Sequence, residues 1–166
     1  MRSHAQPHLL DWNRDGHTNL ILGDGALQVS GPLAGQSQIG TTRFPLTEVP
    51  NRRAYDFRFI DWDGDGVFDM IFAGGYLNPE KKGWLYDIYW CRNTSRVGAP
   101  KFGPPVRLLE APSQSDAWKY DGFAVRNIGQ TGLQELVISV SKDWARKPTG
   151  GWTNKSRLML YRRSAE

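Results

Sequence analysis

Four aspartates crowd into residues 61–69, DWDGDGVFD, at the first, third, fifth and ninth positions. Carboxylates this close repel one another unless a cation neutralises them, and a hard divalent cation such as calcium takes about six to eight oxygen ligands at about 2.3–2.6 Å. Asp61, Asp63, Asp65 and Asp69 supply side-chain oxygens for such a site, and the Val67 carbonyl can add another. Gly66 can adopt the positive φ that a tight wrap around an ion requires. The competing reading is a solvated turn without metal, because Asp and Gly favour turns for reasons of their own. An EF-hand does not fit. Its twelfth loop position needs a bidentate Glu, where this chain has Phe72. The flanks are aromatic and β-branched, with Gly74 and Gly75 close behind, which predicts strands on both sides.

The pattern recurs. Residues 9–22 read LLDWNRDGHTNLIL and residues 59–72 read FIDWDGDGVFDMIF. A third stretch, VRNIGQTGLQELVI at 125–138, keeps the apolar flanks, Gly132 and an acid at the ninth position (Glu135), but has lost the other acids. The three loops start at residues 11, 61 and 127, and the first spacing is about the length of a four-stranded propeller blade. After the first loop, strands are expected over 19–23, 26–30 and 41–49, with a tight turn at Asp24-Gly25. After the second come a strand at 68–73, a long loop at 74–83 and strands at 84–92 and 101–109. After the third come a strand at 134–141, a loop at 142–155 and a last strand at 156–163, with no fourth strand. Residues 55–60 and 120–126 open the second and third units, and 50–53 and 111–117 link them.

Composition agrees with an all-β chain. Eighteen Gly and ten Pro in 166 residues argue for many turns and against long helices. Seven Trp, six Tyr and seven Phe favour strands. The net charge of +4 is dispersed in pairs such as Arg52-Arg53 and Lys81-Lys82, so neither a nucleic-acid stripe nor a recognisable nucleic-acid module is present. One cysteine, Cys91, excludes an internal disulfide and reads as a small buried apolar residue. No apolar run is long enough for a transmembrane helix, and no membrane insertion is expected. The N-terminus, MRSHAQPHLLDWN, shows no apolar signal segment. The chain therefore reads either as cytoplasmic or as a piece of a longer exported protein.

The loops, the aromatic strand ending in Asn (YDIYWCRN) and the segment PKFGPPVRLL together resemble the FG-GAP and VCBS repeat family of calcium-loop β-propellers, the integrin-α-like repeats. The resemblance implies one repeat domain over 1–166, with blades of four antiparallel strands at about 7–50, 54–110 and 118–163, the last lacking its outer strand. It also implies calcium held by Asp61, Asp63, Asp65, the Val67 carbonyl and Asp69. In the first copy, a weaker site falls to Asp11, Asn13, Asp15, the His17 carbonyl and Asn19. The third copy departs from the motif at Asn127, Gly129 and Thr131, and no site is expected there. Trp12 and Trp62, at equal positions in two copies, are expected to pack between neighbouring blades.

Closed propellers use about four to eight blades. Three blades imply a C-terminal piece of a larger propeller, closure by self-association, or an open stack, and the first is favoured. The expected function is a calcium-stabilised, non-catalytic module that binds a protein or glycan, in an extracellular or periplasmic setting. Tyr76, Trp84, Trp144 and Trp152, on the two long loops, are candidate ligand-stacking rings. Two alternatives are carried: the propeller part of a polysaccharide lyase, for which His4, His8 and His17 show no catalytic partner in sequence, and a purely structural scaffold.

Overall fold

The computed structural model describes residues 6–23, 27–31, 41–44, 53–78, 83–110, 119–126 and 134–162. These residues form eleven strands and no helix. The first sheet contains β1 (Gln6–Leu10), β2 (Asn19–Gly23), β3 (Leu27–Ser30) and β4 (Thr41–Phe44). The second contains β5 (Arg53–Ile60), β6 (Asp69–Asn78), β7 (Gly83–Cys91) and β8 (Val106–Leu109). The third contains β9 (Lys119–Arg126), β10 (Glu135–Arg146) and β11 (Trp152–Arg162). In each sheet the strands neighbour one another in chain order and are antiparallel, so each is an up-and-down meander. The all-β expectation holds, with sheets of four, four and three strands among the described residues.

The core follows from strand periodicity. Successive side chains of a strand point to opposite faces. On β6, Met70 and Phe72 face one way and join Ile21, Leu27 and Val29 of the first sheet and Trp12 of the loop between β1 and β2. Ile71 and Ala73 face the other way and join Phe123, Val125, Leu136, Ile138 and Val140 of the third. The second sheet is thus buried on both faces, and each fully buried large apolar side chain contributes about 1.5–3 kcal/mol. Trp12 and Trp62 each sit in a seam between adjacent sheets, 4 % and 7 % exposed.

Two expected loops are mostly strand. β6 continues through Gly74 and Gly75, which pair with Asp87 and Tyr86 of β7, and the ladder runs on to Asn78↔Gly83. Both glycines are buried, so they act here as thin ladder residues rather than breakers. Likewise β10 runs to Arg146 and β11 starts at Trp152, with a short turn closed by Lys147 N–H donating to the Gly151 carbonyl (3.0 Å). Tyr76 therefore lies half-buried on β6, opposite Leu85. Trp84, Trp144 and Trp152 lie on strand backbone, and their side chains fall outside the described residues. Conversely, much of 101–109 is not strand: β8 covers only Val106–Leu109, and Phe102 makes an isolated bridge to Asn93. The expected turn at Asp24-Gly25, the links at 50–52 and 111–117, residues 45–49 and the third loop, 127–133, lie outside the described residues, as does His4.

Candidate metal centre

The second loop joins β5 to β6 and is wound around Asp61. Asp61 Oδ1 accepts from the N–H groups of Gly64 (2.8 Å) and Asp65 (3.1 Å), and Oδ2 accepts from Gly66 (2.9 Å). Asp63 Oδ1 accepts from Asp65 N–H (3.3 Å) and Asp65 Oδ1 from Val67 N–H (3.0 Å). The chain can turn this tightly because Gly64 and Gly66 both have φ of 82°. The result brings carboxylate oxygens of Asp61, Asp63 and Asp65 within 4.8 Å of one another, the one such cluster of potential ligands among the described residues. Hard oxygen donors at this spacing have the chemistry a divalent cation needs, although three carboxylates do not by themselves select calcium.

Asp69 stands apart from that group. It is fully buried at the start of β6, where Oδ1 accepts from Asn93 N–H (2.7 Å) and Oδ2 from Trp62 N–H (3.3 Å). Burial pushes its carboxyl above the usual range. Its role in this arrangement is to clamp the loop to the end of β7. Asn93 extends the clamp, its Oδ1 accepting from Ser95 and Lys101 N–H, each at 3.0 Å. Val67 is buried, with its N–H directed to Asp65.

A third residue type enters the loop that the nine-residue motif does not contain. Arg92, just past β7, sets Nε 2.7 Å from Asp63 Oδ2 and a terminal nitrogen 3.0 Å from Asp65 Oδ2. This guanidinium holds the Asp65 carboxyl below the usual carboxylate range, and Asp65 in turn raises Arg92.

The first loop repeats the winding. Asp11 Oδ1 and Oδ2 accept from Asp15 N–H (3.1 Å) and Gly16 N–H (2.9 Å), and Asp15 Oδ1 accepts from His17 N–H (2.8 Å). Asn13 Nδ2 donates to Asp15 Oδ2 (2.9 Å), which lowers the Asp15 carboxyl. Asn13 Oδ1 is buried without a hydrogen-bond partner, an orphaned carbonyl oxygen at the third loop position that a bound cation would satisfy. Asn19 is the counterpart of Asp69. It is buried, accepts from Trp12 N–H (2.8 Å) and donates to the Ser30 carbonyl (3.0 Å). Where the second loop has Gly64, the first has Arg14 at φ 59°, whose guanidinium donates to the Arg96 carbonyl and lies over the Phe68 ring at 5.8 Å.

A second polar cluster lies between β5 and β9. Asp56, at φ 50° in a bulge of β5, accepts at Oδ2 from Tyr120 OH (2.5 Å) and Phe123 N–H (3.2 Å), and its Oδ1 lies 2.6 Å from Arg58. Arg58 donates to the Phe123 carbonyl (2.8 Å) and lies over the Phe123 ring. Burial and then the Asp56 charge push the Tyr120 hydroxyl far up, so it serves as a donor. His8, half-buried edge-on to Phe59, is lowered by burial and then by Arg58. His17 is exposed in the first loop. Burial, then the Asp69 charge, pushes the Cys91 thiol up to about 12, as expected of an inert core residue. Arg92 and the Asp56 cluster were not evident from the sequence. The available signal was an acid and an arginine two residues apart in an otherwise aromatic strand, YDFRFI. No family model, curated protein or solved structure matches this chain.

Proposed function

We propose that this chain is a calcium-stabilised, non-catalytic repeat module with blades of the FG-GAP and VCBS β-propeller type, binding a protein or glycan as part of a larger extracellular or periplasmic protein. One observation carries the reading. The same hydrogen-bonded loop is built twice, between the first two strands of successive four-stranded sheets, and in the second it gathers Asp61, Asp63 and Asp65. Calcium bound there would tie the ends of strands together and couple metal to folding. The side-chain donors are Asp61, Asp63 and Asp65 in the second loop and Asp11, Asn13 and Asp15 in the first, with the Val67 and His17 carbonyls as the backbone donors. The exposed Leu158 and Leu160 on the outer face of β11 offer a surface for a further blade or a second copy.

The test is a thermal melt in EDTA and in millimolar calcium, for wild type and Asp63→Ala. Asp63 is the variant of choice because Asp61 accepts from three backbone N–H groups and Asp69 from two, while Asp63 accepts from one, at 3.3 Å. The expected outcome is a higher wild-type midpoint in calcium, reflecting about 2.7 kcal/mol of added stability at a hundredfold excess over Kd, and a much smaller rise in the mutant. Identical wild-type melts in both buffers would overturn the calcium reading.

A further inference from the structure

We propose that Arg92 is a built-in counter-cation of the second loop, which keeps the loop folded without metal and which a divalent ion must displace. The inference rests on the calcium reading of that loop and concerns what sets its affinity. The carboxylates of Asp63 and Asp65 keep one oxygen each for a backbone N–H. The other oxygen of each, Oδ2, is the one the guanidinium takes. A cation seated among Asp61, Asp63 and Asp65 would compete with Arg92 for those same two atoms.

The repeat itself supplies an internal comparison. In all three sheets, the residue across the hairpin from the ninth loop position is set by register. Ile21↔Val29 brings Gly31 opposite Asn19, Met70↔Cys91 brings Arg92 opposite Asp69, and Glu135 pairs directly with Arg162. Where the loop has two carboxylates and a neutral ninth residue, this position is glycine. Where the loop has four carboxylates, it is an arginine held by two of them. In the third sheet only the ninth acid survives, and there Arg162 takes that acid itself, Nε to Glu135 Oε1 at 3.0 Å. The glutamate is 2 % exposed. The arginine thus accompanies an acid at the ninth position, present opposite Asp69 and Glu135 and absent opposite Asn19. In the third it holds a buried acid whose neighbours retain no metal-binding pattern, so the guanidinium is able to take a cation's place.

Arg92 is half exposed, with 53 % of its side chain accessible, so its pairs are weak enough to be exchanged. The test is calorimetric titration with calcium chloride, and melting in EDTA, of wild type, Arg92→Gln and Arg162→Gln. Arg92→Gln is expected to bind calcium roughly tenfold more tightly than wild type, as the loss of two exposed ion pairs suggests. It is also expected to melt lower in EDTA and to be restored by calcium. The tightened binding should vanish when Asp63→Asn is added. Arg162→Gln is expected to melt lower in EDTA without recovery in calcium, which separates lost counter-charge from general damage. Equal or weaker calcium binding by Arg92→Gln, with wild type binding normally, overturns the Arg92 inference and leaves the calcium reading standing. Absence of binding in both wild type and Arg92→Gln overturns both. Binding by Arg92→Gln alone overturns the calcium reading of the wild-type loop and, with it, the exchange of Arg92 for the ion, leaving Arg92 as a permanent counter-cation.

Discussion

The two seams between sheets are closed by different physics. Between the first and second sheets the contact is aromatic and fitted by shape. Trp12 meets Phe59 edge-on at 5.9 Å, Phe59 meets Phe68 at 6.0 Å, and Phe102 from the segment after β7 closes on Trp12. Gly23 lies against the Phe57 ring so closely that an added Cβ would fall 2.0 Å from a ring carbon. Between the second and third sheets the core is mainly aliphatic, with Ile71, Ile88, Ile138 and Val140, and Tyr86 stacks on Tyr120. At its edge, the Asp56 carboxylate bonds Tyr120 and the Phe123 backbone while Arg58 neutralises it. One repeat frame therefore supports either a steric or an electrostatic joint. The first should respond to volume, the second to charge.

The largest expected effect comes from adding volume to the first seam. Gly23→Ala should destabilise the protein by about 3 kcal/mol, the upper end for overpacking, because Phe57 is fully buried and has nowhere to move. Guanidinium denaturation measures it, and Phe57→Leu should recover part of the loss only if the clash is with that ring. A smaller effect is expected from removing charge at the second seam. Asp56→Asn keeps the size but weakens the acceptor for Tyr120 and leaves Arg58 without its counter-charge, for about 2 kcal/mol. If Gly23→Ala and Asp56→Asn gave the same salt dependence of stability, the contrast between the seams would fail.

The smallest expected effect is a pH dependence at His8, beside the aromatic seam but within the field of Arg58. Its folded pKa lies below the ordinary 6.5. The unfolded chain therefore binds more protons as pH falls through that range. The stabilisation is full above pH about 6.5 and is lost on acidification through the folded pKa. Wild type should melt lower at pH 5.5 than at pH 7.5, and His8→Phe should flatten that difference. An unchanged slope in His8→Phe would assign the dependence to other groups.

Much of this architecture was legible in the chain. The apolar run MIF after Asp69 predicted a strand, and the repeated DW predicted that Trp12 and Trp62 pack between neighbouring sheets, where both are found. The spacing of Asp61, Asp63 and Asp65 announced a carboxylate cluster, because side chains two apart in a turning loop converge. The strands beyond Gly74 were not legible, since glycine weakens a strand locally and only the ladder to β7 holds it. Nor was the position of Asp69, whose type matched a metal ligand while its surroundings direct both oxygens to backbone N–H groups.

Taken alone, the sequence determined the all-β class and the place where carboxylates gather, because these depend on periodicity and on spacing within a few residues. Tertiary structure decided which charges meet. Arg92 is 27 residues from Asp65, and Tyr120 is 64 from Asp56. Only hairpin register and the stacking of sheets bring such pairs within about 3 Å, since register turns distance along the chain into adjacency in space.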